Sequence, residues 1–247
     1  MKNKVVLITG AASGIGRAAV LAALATGYRV TACDLEAPPT PGVDATAGNF
    51  SALACDVSRE GDCRAAVDQA VARFGRLDVL LHFAAVHATQ TWDELDGDTF
   101  NHVLAVNVTG SFLMAQAAGN WMKDHGGGAI VLTGSGSINV SGLGGHGRGG
   151  PAYVSSKAAI IGLTRALARS LGPYGIRVNA ISPGATDTAM TADYSADART
   201  KVGERTLVGR MADPAEIARA ALFLASDAAS YVNGQVITVD GGLTVRM

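Results

Sequence analysis

A short apolar run over residues 5–9, Val-Val-Leu-Ile-Thr, stops in the turn Gly10-Ala11-Ala12-Ser13-Gly14-Ile15-Gly16, and a helical pattern opens directly behind it. A run of that length bounded by glycine reads as a buried strand. Glycines between a strand and a helix let the chain turn sharply and let backbone N–H groups approach a pyrophosphate at the helix N-terminus. The spacing is GxxxGxG rather than GxGxxG, and a tight turn without a ligand uses glycine too. The position, after the first strand and opening a helix, is what turns the motif into a dinucleotide-site candidate.

The rest of the chain repeats that strand–helix alternation. Helical stretches are expected at 13–26, 59–74, about 98–123, 151–171 and 213–225, and strands at 29–33, 52–55, 77–83, 129–133, 177–181 and 235–239. Thr91 and Glu94 have capping-box spacing ahead of the long third helix. Asp213-Pro214-Ala215-Glu216 supplies an N-cap, a first-turn proline and a capping glutamate. Pro38, Pro39, Pro41, Gly42 and Gly48 make 37–49 a loop, and eight glycines do the same for 134–150. Strands separated by helices imply a parallel sheet covered on both faces. No linker, repeat or shift in composition divides the 247 residues, so one domain is expected.

Composition narrows the function classes. The apolar set is 48% of the chain and charged residues only 17%, which suits a large buried core or an oligomer. The net charge of −1 gives no basic excess for nucleic acid or anionic membrane. Cys33, Cys55 and Cys63 form no CxxC pair and read as small buried hydrophobes. The five histidines have no metal-ligand spacing, so no metal is expected. No apolar run is long enough to span a bilayer and no leader pattern is seen, so a soluble, cytoplasmic protein is expected.

Asp34 ends the second strand, 18 residues after Gly16. An acidic side chain there accepts hydrogen bonds from the ribose hydroxyls of NAD and opposes a 2′-phosphate. NAD is therefore preferred to NADP, with Arg17 and Arg29 as nearby cations. Farther on, Tyr153-Val154-Ser155-Ser156-Lys157 places a phenol and an ammonium four residues apart on one helix face. A free tyrosine, with a pKa of about 10, is a poor base at neutral pH. A neighbouring ammonium favours the phenolate, and the phenol then takes a proton from an alcohol or gives one to a carbonyl. Thr133-Gly134-Ser135 ends the fifth strand and offers a hydroxyl for the reacting oxygen. Asn107 stands inside a helical pattern, where asparagine is mildly unfavourable.

These features resemble the short-chain dehydrogenase/reductase family in its compact single-domain form, over nearly the whole chain. The matching residues are the turn at 9–16, Cys55-Asp56-Val57, Asn107, Ser135, Tyr153 with Lys157, Asn179, Pro183-Gly184 and Val239-Asp240-Gly241-Gly242. The resemblance implies a Rossmann-type α/β fold with seven strands in the order 3-2-1-4-5-6-7. It makes Tyr153 the general acid/base, Lys157 the group that lowers the tyrosine pKa and binds the nicotinamide ribose, and Ser135 the residue that polarises the substrate oxygen. Asn107 would hold a water linking Lys157 to solvent. Gly10, Ser13, Gly14, Ile15, Gly16, Asp34, Leu35, Asp56, Val57 and Ala84 would contact the adenosine and pyrophosphate. Pro183, Gly184, Thr186 and Thr188 would contact the nicotinamide end. A homotetramer or homodimer is implied.

Three departures stand out. The family's Asn-Asn-Ala-Gly after strand four is His82-Phe83-Ala84-Ala85 here, which removes asparagine side-chain support from the turn. Prolines occupy the segment after strand two where the family has a helix. The stretch between Ser135 and Tyr153 is long, so Ser137 competes with Ser135. Substrate contacts are expected from 86–92, with His87 and Trp92; from 136–150, with His146 and Arg148; and from 185–206, with Met190 and Tyr194, a candidate lid. The leading expectation is an NAD-dependent oxidoreductase interconverting a secondary alcohol and a ketone. The alternatives are an NADPH-dependent 3-oxoacyl thioester reductase and, in a different class, a non-catalytic NAD-binding sensor.

Overall fold

The computed structural model describes residues 3–39, 48–140 and 150–245. The strands are β1 (Val5–Thr9), β2 (Arg29–Asp34), β3 (Phe50–Ala54), β4 (Val79–His82), β5 (Gly128–Thr133), β6 (Ile176–Pro183) and β7 (Val236–Val239). They pair in parallel in the order β3-β2-β1-β4-β5-β6-β7, as the family resemblance implied. The order reverses between β1 and β4, the place where such sheets open a ligand crevice beyond their carboxyl ends.

The helices are α1 (Gly14–Ala25), α2 (Glu60–Phe74), α3 (Gly97–Leu104), α4 (Gly110–Met122), α5 (Pro151–Leu171), α6 (Ala196–Glu204) and α7 (Pro214–Ala225). On one face of the sheet, Leu7, Leu80 and Leu132 pack with Phe74 of α2, Met114 of α4 and Ile160 of α5. On the other, Val6, Ile8 and Leu81 pack with Leu24 of α1 and Leu222 of α7. Covering both faces is why all five residues of β1 are buried and why its sequence is continuous rather than alternating.

Three details differ from the sequence reading. The helix expected over about 98–123 is α3 and α4 joined by a π-helical turn, Ala105–Thr109. Thr91 and Glu94 make one arm of the box, Thr91 N donating to Glu94 Oε2 at 3.1 Å, but the Thr91 hydroxyl donates to Asp93 Oδ1 and the pair closes a free turn. The cap of α3 is Asp96, which accepts from Thr99 N at 2.7 Å. Periodicity missed α6, a short polar helix inside 185–206. Pro38 and Pro39 lie outside helices and strands, as expected of a loop. Pro41 and Gly42, and residues 141–149 with His146 and Arg148, lie outside the described residues. Among the described residues no helix is long and apolar enough to cross a membrane, and no cluster of His, Cys, Asp or Glu could hold a metal ion.

Candidate active site

A cavity of about 690 Å³ opens at the carboxyl ends of the strands. Every residue that the sequence assigned to cofactor lines it: Gly10, Ser13, Gly14, Ile15 and Gly16 from the first turn, Asp34 and Leu35 from the end of β2, Asp56, Val57 and Ala84, then Pro183, Gly184, Thr186 and Thr188. Ser135, Tyr153 and Lys157 line it too, and Asn107 does not. The strand ends converge there because β1, β4, β5 and β6 run parallel in register.

The turn is built for close backbone approach. Gly10 has φ of +64°, and a Cβ on it would sit 2.7 Å from Ala84 N. A Cβ on Gly16 would overlap the Gly10 carbonyl. Ser13 is the N-cap residue of α1 and its side chain makes no capping bond. At the far side of the turn the Asp34 carboxylate is fixed by two amides, Ala12 N at 2.9 Å and Leu35 N at 2.8 Å. An anion-binding helix start, a backbone cradle that side chains would fill and an acidic group beside it fit a dinucleotide. Asp56 has mainly a local task. It accepts from Ser58 Oγ at 2.7 Å and Ser58 N at 3.0 Å, and the Ser58 hydroxyl, with Arg59 nearby, holds its pKa below the ordinary value.

At the other end, α5 presents Tyr153 and Lys157, both buried, on its sheet-facing side. Proline at its first position and one helical turn between the two side chains are the local causes. The Ser135 hydroxyl faces the same cavity as the Tyr153 phenol and acts to lower its pKa. Ser135 stands two residues beyond β5 and caps the turn Gly136–Ile138, accepting from Ser137 N at 3.2 Å. Ser137 Oγ is buried with no partner among the described residues. His87 stands edge-on to the Tyr153 ring, with centroids 4.5 Å apart.

Lys157 is anchored at the end of β5. Its Nζ donates to the Thr133 carbonyl at 2.9 Å and lies 5.7 Å from the Tyr153 ring centroid. Burial lowers the amine to about 8. Burial also raises the Tyr153 phenol above its ordinary value, against the opposing effect of Ser135.

Asn107 lies in the π-helical turn, a local irregularity often found at functional sites. Its side chain clamps the chain after β4 to α5: Oδ1 accepts from Val86 N at 2.8 Å, and Nδ2 donates to Val86 O at 2.9 Å and Ser156 Oγ at 3.0 Å. The turn at His82–Ala85 also keeps side-chain support despite having no asparagine. His82 Nδ1 and Thr9 Oγ1 are 2.9 Å apart, and Thr9 Oγ1 accepts from Phe83 N and Ala84 N. Sequence reasoning missed this link, because only the register Thr9↔His82 brings the two residues together.

A family model described as Enoyl-(Acyl carrier protein) reductase matches residues 10–244. D-threitol dehydrogenase of Mycolicibacterium smegmatis is 39% identical, covering 100% of this chain and 95% of that protein. A crystal structure titled as a short-chain type dehydrogenase/reductase from Mycobacterium marinum superposes with a TM-score of 0.88 at 33% identity, covering 99% of this chain and 97% of the other. The chain belongs to the short-chain dehydrogenase/reductase family. Within the family it is also similar to the 3-oxoacyl-acyl-carrier-protein reductase FabG of Thermotoga maritima, 35% identical over 99% of both chains. Members of this short-chain dehydrogenase/reductase family use NAD(P) nucleotides, and their chemistry is alcohol/ketone oxidoreduction.

Proposed function

We propose that this protein is an NAD-dependent oxidoreductase that interconverts a secondary alcohol and a ketone. The observation that carries the reading is that Ser135, Tyr153 and Lys157 line the same cavity as the Gly10–Asp34 turn. A bound nicotinamide supplies the hydride acceptor or donor. Ser135 orients and polarises the substrate oxygen, and Tyr153 holds the proton that this oxygen gains or loses. The neutral phenol favoured by burial is the form that donates to a ketone. Lys157 carries positive charge beside the site and binds the nicotinamide ribose. Asn107 positions the 86-loop against α5. Because its side chain is occupied, a relay water toward solvent would sit on its backbone carbonyl, beside the Ser111 hydroxyl that bonds there at 2.6 Å.

Gly10, Ser13, Gly14, Ile15 and Gly16 receive the pyrophosphate. Asp34 and Leu35 receive the adenosine ribose, Asp56, Val57 and Ala84 flank the adenosine, and Pro183, Gly184, Thr186 and Thr188 face the carboxamide end. Substrate contacts come from 86–92, 136–150 and 185–206. His87 contributes a polar side chain from those loops, against the Tyr153 ring.

The preference for NAD rests on Asp34, whose fixed carboxylate opposes a 2′-phosphate. NADH is expected to bind at least about tenfold more tightly than NADPH, and Asp34→Ser to narrow that ratio. Fluorescence titration of both nucleotides decides it; equal affinities in the wild type would remove Asp34 as the discriminator. The resemblance to FabG favours a second reading, a 3-oxoacyl thioester reductase using NADPH, against which Asp34 is the specific objection.

We also propose a homotetramer or homodimer. Phe112 on α4 and Phe223, Tyr231 and Ile237 near β7 are exposed apolar side chains suited to such contacts. Light scattering is expected to give a mass of two or four chains, and a monomer at micromolar concentration would contradict it. Three free buried thiols fit a reducing compartment, in keeping with a cytoplasmic protein.

A further inference from the structure

We propose that His82 is a positioning residue of this site. As a neutral imidazole protonated on Nε2, it orients the Thr9 hydroxyl, and through it the Phe83 and Ala84 amides, behind the cofactor turn. The cofactor part of this inference rests on the dinucleotide reading above.

The protonation state follows from counting donors. Phe83 N and Ala84 N, at 3.2 and 3.1 Å, can only donate, and both point at Thr9 Oγ1. They occupy the acceptor side of that hydroxyl, so its single hydrogen goes to His82 Nδ1 at 2.9 Å. A neutral imidazole that accepts at Nδ1 carries its proton on Nε2. An imidazolium would aim a second hydrogen at the same hydroxyl and break the arrangement. Among the described residues the charged group acting on His82 is Lys157 of α5; Thr9 of β1 and Thr133 of β5, which hold it from the two neighbouring strands, are uncharged. Burial, with Lys157 adding to it, pushes the imidazole down to about 3.

The same residue reaches the catalytic end through its backbone. Thr133 Oγ1 donates to the His82 carbonyl at 2.7 Å, and the Thr133 carbonyl receives Lys157 Nζ at 2.9 Å. His82 therefore touches both the shelf that seats the lysine and the strand crossing under the cofactor turn. The tolerance there is small, since Gly10 lies so close to Ala84 N that no Cβ fits between them. Nε2 is buried with no partner among the described residues. An unpartnered donor is costly, and the Nδ1 acceptor offers a reason for a polar side chain at this place.

His82→Asn keeps an acceptor where Nδ1 stands, and His82→Leu removes it. His82→Leu is expected to raise the NADH dissociation constant and the KM for cofactor by about tenfold, with a smaller change in kcat, and His82→Asn to restore both to within about threefold. Affinity unchanged in His82→Leu, or left weak by His82→Asn, would overturn the positioning role. On the folded wild type, long-range proton–nitrogen NMR, with the His82 signals assigned by their absence in His82→Asn, is expected to show the neutral Nε2–H tautomer from pH 8 down to about pH 5. An Nδ1–H tautomer or an imidazolium at pH 6 would overturn the proposal even if His82→Leu failed to fold. A wild type that bound no nicotinamide nucleotide would defeat the dinucleotide reading, and the NMR result would still decide the tautomer.

Discussion

Replacing Tyr153 by phenylalanine is expected to lower turnover by roughly 10²–10⁴-fold while leaving NADH affinity within about twofold. The ring is buried between α5 and the cavity, and phenylalanine fills the same volume. What is lost is the cavity-lining hydroxyl, the proton carrier of the proposed reaction. A merely structural tyrosine would give a variant of changed stability and retained rate. The wild type should also show a chemistry-limited rate of alcohol oxidation that climbs with pH, because burial holds the phenol above its ordinary value and oxidation needs the phenolate. Ketone reduction, which needs the phenol, should fall over the same range. Turnover retained in Tyr153→Phe, or an oxidation rate flat through the alkaline range, would take Tyr153 out of the mechanism.

The second large effect sets stability against activity. Lys157→Met is expected to lower turnover by roughly 10²-fold or more and to make the cofactor-free protein more stable at pH 7. Burial holds the Lys157 amine at about 8, against 10.5 for the ordinary group. Folding therefore disfavours its cation by roughly 3 kcal/mol at neutral pH. Losing the bond to the Thr133 carbonyl returns about 1 kcal/mol, which leaves a net gain near 2 kcal/mol. The pH dependence carries the sign. Below pH 8 the amine is charged in both states and the wild type bears the whole penalty. Between 8 and 10.5 the unfolded chain binds more protons, so the wild type gains stability as pH rises and the gap to Lys157→Met closes. Urea unfolding of both proteins at pH 7 and pH 10 measures it. A variant less stable at pH 7, or a gap independent of pH, would show that burial of the charge is not the governing effect.

Much of this architecture is legible in the sequence because parallel sheets leave a strong local trace. The all-buried run at 5–9, the glycine turn and the Tyr153/Lys157 spacing are each set by neighbours in the chain, and each stands where expected. Ser135 could be ranked above Ser137 because a residue leaving a strand end is fixed by the strand. Features that depend on distant pairs were less visible. The π-helical turn at Ala105–Thr109 leaves no break in apolar periodicity, and Asn107 shows its use only once Val86 and Ser156 meet it. The His82–Thr9 bond spans 73 residues and exists only through strand register. The Lys157 contact with the Thr133 carbonyl was hidden for a related reason. Helical spacing brings a lysine near a tyrosine, yet the Thr133 carbonyl takes the ammonium, and burial then sets the phenol. The polar helix α6 has too weak an apolar face to be read from pattern.

The measurement that bears most directly on the central claim is a nicotinamide absorbance assay with NAD and NADP taken separately. It would run over secondary alcohols that include polyols, hydroxysteroids, aryl carbinols, dihydrodiols and 3-hydroxyacyl thioesters, with the carbonyl product quantified in parallel. The account predicts that at least one secondary alcohol yields ketone and reduced NAD in equal amounts, faster with NAD than with NADP. NADH that binds tightly while no member of the panel turns over in either direction would contradict it and favour a nucleotide-binding sensor.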